Sequence, residues 1–243
     1  MTSVTSSPSD KLKSMWLLAL VVALLLAIPR FIWMLNNQYQ LAILIFILMA
    51  LVPFVLLNRS ARTIIGFARC SWTWIGLSFV LGALAAITIY LLGLLLFSAS
   101  SPHWYRVIMD SFNERDIIAQ IKPSALLFLL FALPSLLFSP VGEEFFFRGF
   151  LHETIAMRWG SQAALALDAT LFGVIHLAHY GLYYQQGSLA LRSHAFTWVL
   201  LMAVTAILFY FVRKKSGSLW AAVSCHAGFN LAMMACIVYL IHE

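Results

Sequence analysis

Seven long apolar runs constrain this chain more than any other feature. They lie at roughly 15–35, 41–57, 74–97, 124–158, 161–178, 195–212 and 217–241, and a run of about 20 apolar residues can cross the hydrocarbon core of a bilayer. Hydrophobic residues occupy 63% of the 243 positions and charged residues 10%. The runs lack the short alternation of barrel strands, so the sequence predicts an all-α transmembrane bundle of about seven helices, or eight if 101–140 contains another crossing.

No repeat or long linker divides the chain, so we expect a polar N-terminal tail at 1–14 and a single transmembrane domain at 15–243. The residues suited to chemistry lie late in the sequence, which places the catalytic core at 124–241 and leaves the first three helices as a scaffold. The polar segment 101–123 contains Trp104 beside a tyrosine, and such aromatic residues are typical of the membrane interface. We therefore expect an interfacial loop or surface helix there.

The apolar stretch 124–158 is too long for one straight crossing, since 35 helical residues would extend about 52 Å. Pro134 and Pro140 lie inside it, and proline in a helix interior removes a hydrogen bond and bends or breaks the helix. We expect the functional part to begin near Pro140 and to end at the turn of Trp159 and Gly160.

The net charge of +6 comes from basic residues in the loops between apolar runs. This distribution is typical of topology determinants, and it argues against a nucleic-acid partner. With the N-terminus inside, nine basic residues are cytoplasmic: Lys11, Lys13, Arg59, Arg62, Arg69, Arg158, Arg213, Lys214 and Lys215. Five lie on or near the other side: Arg30, Arg106, Arg115, Lys122 and Arg192. The bias predicts a multi-pass protein of the cell membrane with a cytoplasmic N-terminus.

The first polar cluster within an apolar run is Glu143, Glu144 and Arg148. Ionisable groups at membrane depth are costly, so they point to function by default. Arg148 follows Glu144 by four residues, a spacing that allows an ion pair on one helix face. Glu143 has no such helical counter-ion, so we expect Glu144 and Arg148 to support the site and Glu143 to act in it. The alternative is a structural charge cluster that holds two helices together.

His176 is the second candidate. In an antiparallel helical hairpin that turns at Trp159 and Gly160, Glu143 and His176 are each about 16 residues from the turn, or ~24 Å along their helices. We therefore expect the two side chains to face each other, where they could hold and deprotonate a water molecule. A lone histidine in an apolar helix can also be a core residue, and we interpret Asp168 and His179 nearby as packing or boundary residues.

His226 and Asn230 form the third cluster, four residues apart on one face of the last predicted helix. Two neutral donors at this spacing suit the stabilisation of a developing oxyanion. An interhelical hydrogen-bonded pair is the structural alternative.

At these positions the chain resembles the CAAX-protease and bacteriocin-processing (CPBP) family, which includes the type II CAAX prenyl endopeptidases. The resemblance covers roughly 124–241. Three motifs of that family occur in order: EExxxR at Glu143, Glu144 and Arg148, FxxxH at Phe172 and His176, and HxxxN at His226 and Asn230. The resemblance implies an intramembrane endopeptidase in which Glu143 and His176 activate water. His226 and Asn230 would then stabilise the oxyanion. Glu144, Arg148 and Phe172 would support the site.

Members of this family are often labelled metalloproteases, and Glu143, Glu144, His176 and His226 could supply a zinc site. We favour a reaction without a metal, because Glu144 is expected to be engaged by Arg148. The predicted partners are the lipid bilayer and a membrane-associated peptide or protein, such as a lipidated, CAAX-like one. A non-catalytic protein of the same fold, acting in bacteriocin immunity or peptide binding, is the second hypothesis, and a small proton-coupled transporter is the third. The sequence leaves open the substrate, the oligomeric state and the side to which the site opens.

Overall fold

The computed structural model describes residues 7–36, 38–97, 103–111 and 125–241. Its α-helices are α1 Pro8–Ser14, α2 Trp16–Leu35, α3 Tyr39–Leu56, α4 Arg59–Ile64, α5 Trp72–Leu96, α6 Trp104–Ser111, α7 Ala125–Glu143, α8 His152–Trp159, α9 Ser161–Ile175, α10 Ala195–Ser216 and α11 Leu219–Tyr239. A π-helix, Glu144–Leu151, joins α7 to α8, and a 3-10 turn, His176–Ala178, follows α9. Strands β1 Leu182–Gln185 and β2 Ser188–Leu191 form an antiparallel hairpin before α10.

Five of these helices are long and apolar enough to span a membrane: α2, α5, α9 with its 3-10 turn, α10 and α11. The apolar part of α3, Leu41–Leu56, is shorter. Large apolar side chains cover the outside of the bundle, as at Leu25 with 65% exposure and Leu95 with 82%. Because such a surface is stable against lipid rather than water, the predicted all-α transmembrane bundle is confirmed. The small hairpin of β1 and β2 is an element that the sequence analysis did not predict.

The long helical stretch is not divided at its prolines. The helix α7 continues through Pro134 and Pro140, and the departure from α-helical geometry falls one residue after α7 ends, in the π-helix. A π-helix adds a residue per turn and is frequent at functional sites. It places Glu144 and Arg148 in the irregular segment, where all eight residues are buried. The turn at Gly160 is present, with a φ of +88°.

The described part of the predicted N-terminal tail is largely helical. Residues 8–14 form α1, and the side chain of Leu12 is completely buried. Trp16, the first residue of α2, contacts Trp159 with their ring centroids 4.8 Å apart. The start of α2 therefore packs against the end of α8.

The prediction of an interfacial helix is wrong for Trp104 and Tyr105. Both side chains are fully buried, and the Tyr105 hydroxyl donates to the Ala86 carbonyl over 2.9 Å. Trp104 packs between Trp198 and Phe97, with ring centroids 5.8 and 5.1 Å away. The helix α6 therefore belongs to the core, and residues 112–123 of the predicted segment lie outside the described part of the chain.

Glycine allows α11 to pack closely on α5. A Cβ atom at Gly228 would lie 2.0 Å from the Phe79 carbonyl oxygen, and one at Gly82 would lie 1.7 Å from the Cys225 carbonyl oxygen. The two helices thus approach each other through a glycine on each side, as small residues permit in membrane bundles. This contact fixes the helix that holds His226.

Candidate active site

Except for His176, which is partly buried, the residues of the three motifs are buried. Glu143, Glu144 and Arg148 have no exposed surface, and His226 and Asn230 retain 4% and 7%. Burying charged groups is costly unless each one has partners. The contacts of these side chains therefore show how the fold compensates their charges.

Glu143 has a partner that the sequence analysis did not identify. Its Oε1 lies 2.8 Å from Arg30 Nη2 and accepts a hydrogen bond from the Ser139 hydroxyl at 3.2 Å. Arg30 belongs to α2 and is 1% exposed. The first helices, which were expected to be a scaffold, therefore contribute a buried charged side chain. The signal was a lone arginine in an apolar run, which normally marks a functional site.

Glu144 is held from two sides. The predicted ion pair with Arg148 is present, with Arg148 Nε 3.2 Å from Glu144 Oε2, although the alignment is poor for a hydrogen bond. His226 Nδ1 lies 2.8 Å from Glu144 Oε1. The EExxxR and HxxxN motifs are therefore in direct contact, and Glu144 supports both Arg148 and His226.

The FxxxH motif has a clear local explanation. His176 Nδ1 lies 2.6 Å from the Phe172 carbonyl oxygen. A carbonyl only accepts hydrogen bonds, so Nδ1 carries the proton, and Nε2 of the neutral ring keeps a free lone pair. The Phe172 ring stacks near the His176 ring at 4.4 Å between centroids, and the Arg148 guanidinium lies 4.2 Å from the centre of the same ring. Phe172 thus connects the histidine to the arginine.

Asp168 is a further member of the buried cluster. Its Oδ2 lies 3.9 Å from Arg148 Nε and 3.6 Å from His152 Nδ1, and the residue is 2% exposed. The interpretation of Asp168 as a packing or boundary residue was incomplete, because a buried carboxylate beside a buried guanidinium is a charge partner. Arg148 is therefore placed between two carboxylates, those of Glu144 and Asp168.

A cavity of about 240 Å³ is lined by residues of the FxxxH and HxxxN motifs. Its polar lining includes Arg30, Ser135, Ser139, His176, His179, His226 and Asn230. Its apolar lining includes Met34, Phe46, Phe172, Trp198, Met202, Phe209, Phe229, Met233 and Met234. Glu143 is not among the lining residues that the structure describes, and it borders the cavity through its partners Arg30 and Ser139. An apolar cavity with a few convergent polar groups is the usual form of a ligand site.

Glycine also sets the position of Glu143. A Cβ atom at Gly142 would lie 2.3 Å from the Phe46 carbonyl oxygen, so α7 touches the backbone of α3 one residue before Glu143. Asn230 is fixed by a hydrogen bond from its Nδ2 to the Ser135 carbonyl oxygen on α7, at 2.8 Å. Backbone contacts between helices thus hold both sides of the cavity.

The zinc alternative does not fit these contacts. Glu143 faces the cation of Arg30, and Glu144 lies between Arg148 and His226. Within the described ranges, no group of three or more histidine, cysteine, aspartate or glutamate side chains is arranged to hold a metal ion. A guanidinium group therefore already faces each of the two carboxylates.

The fold and the site define a class: an integral membrane protein with a polar site buried in its helical bundle. Residues 125–232 match the family model described as type II CAAX prenyl endopeptidase Rce1-like. The match agrees with the resemblance found in the sequence, which is thereby confirmed. Comparisons of the chain with curated proteins and with solved structures gave no significant match.

Proposed function

We propose that this protein is an intramembrane endopeptidase that hydrolyses a peptide bond in a membrane-associated protein or peptide. One observation carries the proposal: His176, His226 and Asn230, from two separate motifs, line one cavity, and Glu143 of the EExxxR motif adjoins it through Arg30 and Ser139. The Rce1-like match covers all four residues. A binding protein would have no need of a buried carboxylate and a histidine lone pair at the same cavity.

Water activation falls to Glu143 and His176. The free lone pair of His176 Nε2 can accept a proton, because Nδ1 is committed to the Phe172 carbonyl. Glu143 Oε2 is buried and lacks a hydrogen-bond partner among the described residues, so it is the second available acceptor. A water molecule held by these atoms would attack the carbonyl carbon of the peptide bond as its proton passes to the carboxylate or the imidazole.

His226 and Asn230 are the proposed donors to the oxyanion that forms on the carbonyl oxygen. Asn230 Nδ2 has two hydrogens and gives one to Ser135. The imidazole of His226 is oriented by Glu144, as a carboxylate orients and stabilises the histidine of other hydrolytic sites, and it donates from Nε2 in its charged form. Both side chains come from α11 and face the cavity from one side.

The lining also indicates the kind of substrate. Four methionines and several aromatic rings make most of the cavity apolar, and methionine adapts its shape to different apolar groups. Such a cavity suits bulky apolar side chains or a lipidated, CAAX-like segment better than a polar peptide. We propose a substrate that reaches the cavity from the bilayer.

The topology follows from the charge at the two ends of the bundle. The Ser218 hydroxyl donates to the Ala68 carbonyl at 2.7 Å, and Arg213 pairs with Glu153. These contacts bring together, at one end of the bundle, the regions around α4, the end of α8 and the end of α10. The basic residues of these regions therefore lie at the same end. By the positive-inside rule this end faces the cytoplasm and the N-terminus lies on the same side. We propose that the protein resides in the cell membrane.

Cleavage of a panel of membrane-anchored peptides by the purified protein in detergent tests the function. We expect Glu143→Gln to lose at least ~100-fold in rate, because the carboxamide cannot take the proton of water. Leu35→Ala, at the end of α2, serves as the control that retains activity. Equal cleavage by the wild type and both variants would indicate a contaminating protease and would contradict the assigned base. Peptide binding without cleavage, unchanged in Glu143→Gln, would favour the non-catalytic hypothesis.

A further inference from the structure

Arg30 has more hydrogen-bond donors than its observed contacts use. Its Nη2 faces Glu143 at 2.8 Å, whereas Nε and Nη1 are buried without a hydrogen-bond partner in the described part of the chain. A guanidinium has five N–H groups and no acceptor, and a buried unpaired donor costs free energy. Arg30 also lines the cavity. Arg30 therefore combines a place in the lining of the cavity with two buried donors that lack an acceptor.

The two donors assigned to the oxyanion are partly engaged elsewhere. One Nδ2 hydrogen of Asn230 is bonded to Ser135. If His226 Nδ1–H donates to the Glu144 carboxylate at 2.8 Å, Nε2 of the neutral ring is an acceptor and repels an oxyanion. His226 can then act as a donor only when its ring is charged. A single hydrogen bond from Asn230 would stabilise a full negative charge only weakly in an apolar cavity.

We propose that Arg30 is a further catalytic residue that donates from Nε and Nη1 to the oxyanion. This assignment rests on the proposed peptidase function. The water oxygen bonds to the carbonyl carbon, the π-electron pair moves to the carbonyl oxygen, and the proton of water passes to Glu143 or His176. Arg30 holds that oxygen while the proton moves on to the amide nitrogen and the carbon–nitrogen bond breaks. Carboxylate and amine products then balance the reaction.

The position of Arg30 suits this role. Nη2 contacts the assigned base, so the remaining donors lie within the width of one guanidinium from the place where water is activated. Phe46 supports the group, with its ring centre 4.9 Å from Arg30 Cζ. Electrostatic stabilisation is strong where water is excluded. Arg30 lies outside the Rce1-like segment of 125–232, so α2 would complete a site that the matched domain leaves short of donors.

The test compares Arg30→Gln and Arg30→Lys with the wild type in the full-length protein, with Leu25→Ala as the matched control. Leu25 lies on the same helix and is 65% exposed. Thermal unfolding in detergent identifies the variants that fold. We expect Arg30→Gln to lower kcat by ~100-fold or more at a nearly unchanged KM, as for the removal of other oxyanion donors. Arg30→Lys keeps the charge beside Glu143 but not the planar fork, so we expect a loss of ~10-fold.

The pH profile separates this role from that of a counter-ion. If Arg30 only kept Glu143 ionised, raising the pH would restore the activity of Arg30→Gln, whereas a lost oxyanion donor lowers kcat at every pH. Two results would overturn the role of Arg30 and leave the proposed peptidase function in place. One is that high pH restores the activity of Arg30→Gln. The other is that Arg30→Gln and Arg30→Lys both fold and cleave within about threefold of the wild type. A wild-type protein that cleaves no peptide would overturn the proposed function, and this assignment with it.

Discussion

Replacing Gly228 by alanine should separate two helices and disturb the site without removing any polar group. The new Cβ atom would lie 2.0 Å from the Phe79 carbonyl oxygen, and real Cβ contacts below 3.0 Å essentially do not occur. The helices α11 and α5 would therefore have to part by at least about 1 Å. Overpacking of this kind costs typically about 1–3 kcal/mol, and Gly228 lies between His226 and Asn230. A displacement of about 1 Å at a catalytic group can cost ~100-fold in rate.

The matched control is Gly76→Ala in α5, because a Cβ atom there has no neighbour within 4 Å. Alanine favours a helix over glycine by about 1 kcal/mol, so we expect this variant to be as stable as the wild type or more stable. Unfolding of both variants, followed by circular dichroism in detergent with increasing temperature or dodecyl sulfate, measures the difference. Equal stability of Gly228→Ala and Gly76→Ala would refute the close packing of α11 on α5. This measurement does not depend on a known substrate.

Two further predictions concern buried groups that the sequence analysis interpreted differently. Asp168→Asn should destabilise the fold by about 3 kcal/mol, because it removes one carboxylate beside the buried Arg148. The control is Asp10→Asn, at an exposed position. Equal unfolding of the two variants would contradict the charge cluster. Trp104→Ala should cost about 3–5 kcal/mol, as a truncation in a packed core does. Trp72→Ala, where the side chain is 86% exposed, should cost far less, and the reverse order would show that α6 is a surface helix.

The fold class and the candidate residues were accessible from the sequence because both are local patterns. An apolar run is recognised from neighbouring residues alone, and the spacing of Glu144 and Arg148 places them one helical turn apart wherever the helix lies. The turn at Gly160 was likewise predicted from a local pattern. The family resemblance depends on three such local motifs, and the Rce1-like match covers the same residues.

Local rules failed where a distant part of the chain set the outcome. Pro134 and Pro140 do not divide the helix, which was one of the two expected outcomes, because neighbouring helices can satisfy freed backbone groups in a membrane bundle. Trp104 was expected at the interface from its residue type, but its position is decided by Trp198 and Tyr180, which pack against it. Composition alone does not report such contacts.

What the sequence by itself determined is a membrane-embedded helical bundle and the list of polar groups that it must bury. Only the tertiary structure decided how those groups compensate each other. Glu143 finds its counter-ion in Arg30 on α2, and Glu144 meets His226 across 82 residues of sequence. The physical reason is that the cost of a buried charge is met by whichever opposite charge or donor the packing brings within about 4 Å. Sequence spacing specifies that distance within one helix, but the distance between helices depends on the packing of their backbones, as at Gly228.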